Sequence, residues 1–257
     1  MKTRGIDQDR VGHDDVRNFY DHEYYASPYD RHPLAWHMRS IANRLGDLEN
    51  RQVLDIACGT GQWLGELARR GAKPSGIDIS SRAVELCRDR LPAGDIREGV
   101  AEALPFADGT FDLVTCLGSL EHFLDQPAAL REMRRVAKPD AQFLILVPNS
   151  GFLTRRLGLY RGTGQVAIRE TVRSLEDWRR MLEGAGLEVR ARWRDLHPLS
   201  KAWILQAAPG AWPLRALQAL LLAVWPIGWQ YQVYFLCRRS RALREAMPSS
   251  ATEEMSG

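Results

Sequence analysis

Two acids, Asp55 and Asp78, each end a short apolar run, and each is followed by residues that favour a turn. Asp55 lies in Val-Leu-Asp-Ile-Ala-Cys-Gly-Thr-Gly, from Val53 to Gly61, and Asp78 in Ser-Gly-Ile-Asp-Ile-Ser, from Ser75 to Ser80. Beyond Gly61, the residues Trp63, Leu64, Leu67 and Ala68 recur at helical spacing, so the first stretch reads as a buried strand, a glycine turn and a helix. Gly59 and Gly61 suit a strand that turns straight into a helix, and a missing side chain lets a ligand touch the backbone. A carboxylate at the end of that strand would repel a pyrophosphate and hold an ammonium group. Asp78, at the end of the next predicted strand, is placed to accept both hydroxyls of a ribose. Leu64 stands where a dinucleotide fingerprint carries its third glycine.

The ligand implied has an amine and no phosphates; adenosine joined to an amino acid, as in S-adenosylmethionine (SAM), fits both acids. Gly59 and Gly61 alone would also fit a bare turn, and Asp78 alone a helix N-terminal acid ahead of the run from Ala83 to Arg90. The combination selects the ligand.

The elements that must position these residues follow in βαβ alternation. Strands are predicted near Gln52 to Ala57, Lys73 to Asp78, Ile96 to Val100, Phe111 to Leu117 and Gln142 to Pro148, with helices centred on Leu64, Ala83 and Ala129 to Val136. Such alternation implies a mostly parallel sheet with helices on both faces. Ligands then bind at the carboxyl ends of the strands, where Asp55, Asp78, Glu102 and Leu117 emerge. Ser174 to Ala185 reads as an amphipathic helix with Ser174 as N-cap and Gly186 as its stop. Leu187 to Trp193 and Gln230 to Cys237 read as the last two strands.

From about Val53 to about Asn149 the chain resembles the class I SAM-dependent methyltransferases of the type 11 kind. The resemblance rests on the two motifs above, on Ala-Glu-Ala-Leu-Pro-Phe-Ala-Asp-Gly-Thr-Phe-Asp from Ala101, on Ser-Leu-Glu-His from Ser119 and on Leu-Val-Pro-Asn from Leu146. It implies a Rossmann-like sheet of seven strands whose last strand is antiparallel. It also implies SAM as cofactor, with Asp55 on the methionine amine, Gly59 and Gly61 in the turn and Asp78 on the ribose. Ile79 would pack on the adenine face, with Ala101 and Glu102 along its edge and Ala57 and Leu117 in the same cofactor site. Two positions depart from the family pattern: Ala57 stands where glycine is frequent, and Val100 where an acid usually meets the adenine amino group. Glu102 is the substitute.

Methyl transfer from a sulfonium needs alignment, exclusion of water and, for a hydroxyl acceptor, a place for the proton. His122 has a suitable intrinsic pKa and Glu121 is its sequence neighbour, so these are the candidate catalytic residues, set against a purely structural role for the loop. The segment also resembles the ubiquinone-biosynthesis O-methyltransferases and the small-RNA 3′-end methyltransferases, whose Glu-x-x-Glu-His motif binds a divalent metal. Gly118 occupies the first Glu position here, leaving Glu121 and His122, a weak set for a hard cation. No metal is expected. Tyr24 or Tyr25, in the aromatic cluster from Asn18 to Tyr25, would cover the cofactor or else pack on the outside of the domain.

The chain has 257 residues, ordinary apolar content and a net charge of +3. That balance, without a basic stripe interleaved with aromatics, argues against a nucleic-acid partner. Cys58, Cys87, Cys116 and Cys237 show no pairing or metal spacing and read as free thiols of a reducing cytoplasm. The amino-terminal stretch shows no signal-peptide pattern.

Four regions are expected: a polar tail and a lid helix over 1–50, the SAM-binding core over 51–150, a substrate-cover excursion with the last strands and an apolar insertion over 151–240, and a tail over 241–257. The insertion is uncharged from Ala216 to Cys237 and flanked by Arg215 and by Arg238, Arg239, Arg241 and Arg244. Pro226 and Gly228 divide it, leaving a short apolar helix over about Trp212 to Trp225, too short to cross a bilayer. With its tryptophans, 203–229 is a candidate contact with the inner face of a membrane, with a lipid-like substrate or with a second subunit; an internal core helix is the alternative. The reading reached is a cytoplasmic SAM-dependent methyltransferase acting on a small or lipid-like acceptor, most plausibly at oxygen. Its rivals are an N- or C-methyltransferase of the same fold, a catalytically silent SAM-binding partner protein and, more distantly, an NAD-dependent oxidoreductase.

Overall fold

A computed structural model describes residues 12–25, 34–156, 158, 170–205 and 209–240. The tail before Gly12, most of the excursion after Arg156 and the tail with Arg241 and Arg244 lie outside the described residues.

The chain enters through helix α1 (His13–Phe19), which runs into a π-helical turn, Tyr20–Tyr24. Within the expected polar tail and lid region, the chain is helical from His13. Asp14 and Asp15 occupy its first turn, Asp15 Oδ2 accepts the Gly12 N–H at 2.9 Å, and Val16 is buried. Helix α2 (Trp36–Ala42) precedes the core, which runs β1 (Gln52–Ile56), α3 (Gln62–Ala68), β2 (Lys73–Asp78), α4 (Ser81–Arg90), β3 (Asp95–Glu98) and β4 (Phe111–Leu117). A short 3₁₀ turn at Leu120–His122 leads to α5 (Gln126–Val136), β5 (Ala137–Pro148) and α6 (Leu153–Arg156). The chain closes with α7 (Leu175–Gly184), β6 (Leu187–Arg194), α8 (Lys201–Leu205), α9 (Trp212–Val224) and β7 (Gln232–Arg239).

All seven strands form one sheet in the order β3-β2-β1-β4-β5-β7-β6. Pairings from β3 to β5 are parallel, and β7 runs antiparallel to both β5 and β6. The expected mixed sheet, with its reversed last strand, is therefore present. Alternation along the strands divides the core in two: Leu54, Val114, Phe143 and Ile145 face one layer, and Val53, Leu113, Leu144 and Tyr234 the other. Ser80 caps α4 by accepting the Ala83 N–H at 3.1 Å, and Ser174 caps α7 by accepting the Asp177 N–H at 3.1 Å.

Chain order reverses between β1 and β4, so the carboxyl edge of these strands opens a crevice there. On the other side, Trp178 of α7 is fully buried, and its indole N–H donates to the Pro148 carbonyl at 2.7 Å, tying α7 to the end of β5. Trp178→Ala removes a large core side chain and this bond. It is expected to lower unfolding free energy by about 3–5 kcal/mol in urea titration; a loss below about 1 kcal/mol would show that α7 contributes little to the core.

Candidate active site

A cavity of about 250 Å³ sits at the carboxyl edge of β1, β2 and β4. Its floor carries Ala57, Asp78, Ile79 and Leu117; Val100, Ala101 and Glu102 form one side, and Gly118, Ser119 and His122 another. Its roof comes from the chain's beginning, through His13, Val16, Tyr20, Tyr24 and Tyr25.

The glycine turn after β1 is fixed by backbone geometry. Ala57, Gly59 and Gly61 all have positive φ, at 55°, 53° and 74°. A Cβ on Gly61 would lie 2.5 Å from Cys87 Sγ, so no side chain fits there. Ala57 takes the same left-handed region with a Cβ, a local strain where glycine would carry none.

Asp78 is buried and stitches this turn to β2. Its Oδ2 accepts the Gly59 N–H at 2.8 Å and its Oδ1 the Ser80 N–H at 2.9 Å. Burial pushes its carboxyl up to about 6, against the lowering effect of these backbone donors. Asp55 is buried behind the cavity wall. Its Oδ1 accepts the Thr115 hydroxyl at 2.5 Å, and Thr115 Oγ1 in turn accepts the Trp63 indole N–H at 3.2 Å. Desolvation pushes the Asp55 carboxyl up to about 7, outweighing the Thr115 bond, and among the described residues no ion pair with a base neutralises it. A buried acid of this kind is a demand for a cation.

Of the residues expected to bind cofactor, Ala57, Asp78, Ile79, Ala101, Glu102 and Leu117 lie in the wall. Asp55, Gly59 and Gly61 do not. The Tyr25 hydroxyl lies 3.0 Å from the Cβ position of Gly59, so the tyrosine closes over the turn. Glu102, the expected substitute for an acid at Val100, is engaged elsewhere. Its Oε1 accepts the Leu124 and Asp125 N–H groups at 3.0 and 3.2 Å, and its Oε2 faces His13 Nε2 at 3.5 Å.

The candidate catalytic pair is separated. His122 faces the cavity, whereas Glu121 is buried and absent from its wall, with Oε2 lacking a hydrogen-bond partner among the described residues. Desolvation pushes the Glu121 carboxyl up to about 8, so it is neutral at pH 7. Among the described residues no group of three or more His, Cys, Asp or Glu is arranged to hold a metal ion.

Sequence reasoning missed Thr115, His13, Tyr20 and the polar ties of the roof. Asp21 accepts from Ser80 Oγ at 2.5 Å, Ser81 Oγ at 3.2 Å and the Arg82 N–H at 3.3 Å, at the start of α4. Arg17 Nε donates to the Ile79 carbonyl at 3.3 Å and pairs with Glu98 at the same distance. The one available signal was the aromatic cluster around Asp21; Thr115 had only its hydroxyl in an otherwise apolar run.

Comparison with known proteins adds an independent line. Residues 54–145 match the family model described as a methyltransferase domain. A ubiquinone biosynthesis O-methyltransferase of Alkalilimnicola ehrlichii is 31% identical over 176 residues, covering 65% of this chain and 68% of that protein. One of Pseudomonas aeruginosa is 34% identical over 196 residues, covering 68% of this chain and 80% of that protein. Among solved structures, the geranyl diphosphate C-methyltransferase of Streptomyces coelicolor, in complex with Mg2+, geranyl-S-thiolodiphosphate and S-adenosyl-L-homocysteine, superposes with a TM-score of 0.60 at 15% identity. That match covers 79% of this chain and 74% of the other.

The buried acids make a prediction about pH. Asp55, Asp78 and Glu121 all have folded values above their unfolded ones, so the folded state holds extra protons. The stability they contribute is complete below about pH 4 and is lost as pH rises through about 6, 7 and 8. Glu121→Gln is expected to remove the part of this decline that reaches highest, so the melting temperatures of variant and wild type diverge in the variant's favour as pH rises from 4.5 to about 8 and run parallel above that. Curves that run parallel throughout that lower window would show that Glu121 is not desolvated.

Proposed function

The chain belongs to the class I SAM-dependent methyltransferases, with SAM as its cofactor, and we propose that it methylates an oxygen of a small-molecule or lipid-like acceptor with His122 as proton acceptor. The observation that carries this reading is one cavity at the carboxyl edge of the strands, lined by Asp78 and His122, with the acid Asp55 buried behind its wall. When bound, SAM supplies a methyl group already activated on a sulfonium. Asp55 would neutralise its ammonium end and Asp78 would accept from its ribose hydroxyls. Ile79, Ala101 and Val100 offer an apolar slot for the adenine, and Leu117 and Ala57 complete the floor.

His122 then serves the acceptor. Of the two described histidines in the cavity wall, His122 stands beside Gly118 and Ser119 at the end of β4, next to where the sulfonium would lie, and we assign the base to it. Glu121, neutral and turned away, supports the loop instead of sharing the proton. Tyr20, Tyr24 and Tyr25 exclude water as a roof held by Asp21 and Arg17. The relatives' printed names support oxygen, through two O-methyltransferases, while the structural neighbour named a C-methyltransferase keeps carbon as the second reading.

The cofactor half is tested by calorimetric titration with S-adenosylhomocysteine at pH 6.5 in two buffers of different ionisation heat. Neutralising Asp55 with an ammonium group is expected to expel up to about one proton, so the heats differ between buffers. Asp78→Ala is expected to abolish binding. A heat independent of buffer would remove Asp55 from the amine site.

For the acceptor half, SAM is incubated with phenolic and lipid-like acceptors in the presence of chelator, and product is identified by mass and NMR. His122→Gln is expected to lower kcat by about 10²–10⁴ while S-adenosylhomocysteine affinity holds. Unchanged turnover in the variant, or methyl on carbon or nitrogen, would overturn the assignment at oxygen; turnover that chelator abolishes and magnesium restores would overturn metal independence.

A further inference from the structure

Helix α9 is apolar around most of its circumference. Its inward side carries Ala219, which is 1% exposed, with Arg215, Ala216, Gln218 and Leu222 half-buried. Arg215 is held there: Nη1 donates to the Trp203 carbonyl at 3.0 Å, and the guanidinium lies 4.3 Å from the Trp203 ring centre. The outward side carries Leu214, Leu217, Leu220, Leu221 and Val224, which are 69%, 54%, 65%, 42% and 74% exposed. At 3.6 residues per turn these five fall within an arc of about 120° that includes no polar residue. A surface helix normally turns such a stripe towards its core, so an outward one marks a contact surface.

Charge decides what covers it. From Leu196 to Gln230 the chain has no Asp or Glu, and Lys201 there is basic and exposed. The described stretch from Ala141 to Arg156 is likewise free of acids and exposes Arg155 and Arg156. The two stretches meet where Asn149 Nδ2 donates to the Gly228 and Gln230 carbonyls, at 2.9 and 3.0 Å, and where the Phe152 and Tyr231 rings pack at 5.0 Å. A second copy related by a twofold axis would bring the same acid-free, basic surroundings against themselves. Trp212, Trp225 and Trp229 flank the helix at both ends, and tryptophan settles at headgroup level.

The geometry points to an anionic phospholipid surface as the occupant, with α9 lying in the plane of the interface. Thirteen residues cannot cross a bilayer, and among the described residues no helix is long and apolar enough to do so. An in-plane helix needs only its outward leucines in the acyl boundary and basic residues at the headgroups. The insertion returns to the sheet at Gln232, whose amide lies 3.8 Å from the Cβ position of Gly118 in the cavity wall. Docking therefore brings the cavity's edge of the sheet to the bilayer, where lipid-soluble acceptors concentrate.

The test is flotation of the full chain with vesicles of equal parts phosphatidylglycerol and phosphatidylcholine, and with phosphatidylcholine alone. The protein is expected to float with the anionic vesicles, less so in high salt, and not with the neutral ones. Leu217→Asp with Leu221→Asp is expected to cut the bound fraction at least about tenfold, with melting temperature and S-adenosylhomocysteine binding unchanged. If that pair lowers the melting temperature, Leu220→Asp with Val224→Asp repeats the comparison. Absence of flotation, equal flotation on neutral vesicles, or equal flotation of a folded variant overturns the proposal. So does a concentration-dependent dimer in sedimentation that the variant splits, since a second copy would then cover the face.

Discussion

The Asp78 carboxylate is the fastening on which the site depends. One oxygen holds the Gly59 amide and the other the Ser80 amide, so a single side chain fixes the turn after β1 and the start of α4 relative to the end of β2. The parallel register that sets Asp55 beside Gly76 and Ile56 beside Ile77 makes this reach possible. Gly76 has no room for more: a Cβ there would lie 2.8 Å from both Cys58 Sγ and Leu64 Cδ1. The close approach of β2 to the turn and its helix is thus set by absent atoms as much as by present ones. Its cost is two neighbouring acids in a poorly solvated place, each pushed up by burial, with Asp78 raising Asp55 further. A ligand carrying an ammonium group and hydroxyl donors offsets that cost, and this links the fold's tightest point to its chemistry.

The roof is attached by contrast through exposed or half-exposed polar bonds. Asp21 holds the first residues of α4, and Arg17 reaches both the Ile79 carbonyl and Glu98. Burial draws the Asp21 carboxyl up, yet the Ser80, Arg82 and Ser81 donors win and leave it below the usual range, so it stays charged. Between these ties lie Tyr20, Tyr24 and Tyr25, packed edge to face or tilted at 4.9–6.2 Å. Aromatic packing with a few charged latches makes a wall that can open at low cost, whereas the strand edge beneath cannot.

Much of the core was legible because period and punctuation agree there. Strands β1, β2 and β4 begin where alternation begins, and Ser80 and Ser174 cap the helices they precede. Strand β5 was read as starting at Gln142 but starts at Ala137. Lys-Pro-Asp looks like a turn, yet Ala137 pairs with Phe111 across an irregularity in the ladder, which extends the strand through it. In α9 the sequence showed an apolar helix of the right length, but not which side would be packed. The side chosen depends on Trp203 holding Arg215 inward, a contact between separate helices.

The sequence by itself determined the order of elements, the mostly parallel sheet and the acids at the strand ends, because each follows from local spacing and backbone preference; the reversed last strand followed from the family resemblance. Only the tertiary structure decided that Glu121 and His122 part company, that Glu102 is occupied by backbone amides and faces His13, and that the first described helix roofs the cavity. Thr115 likewise reaches Asp55 only because β1 and β4 are paired side by side. These are contacts between residues far apart in the chain or on opposite sides of one turn, and local spacing tells which side chains share a face but not which distant residue they meet once the sheet has closed.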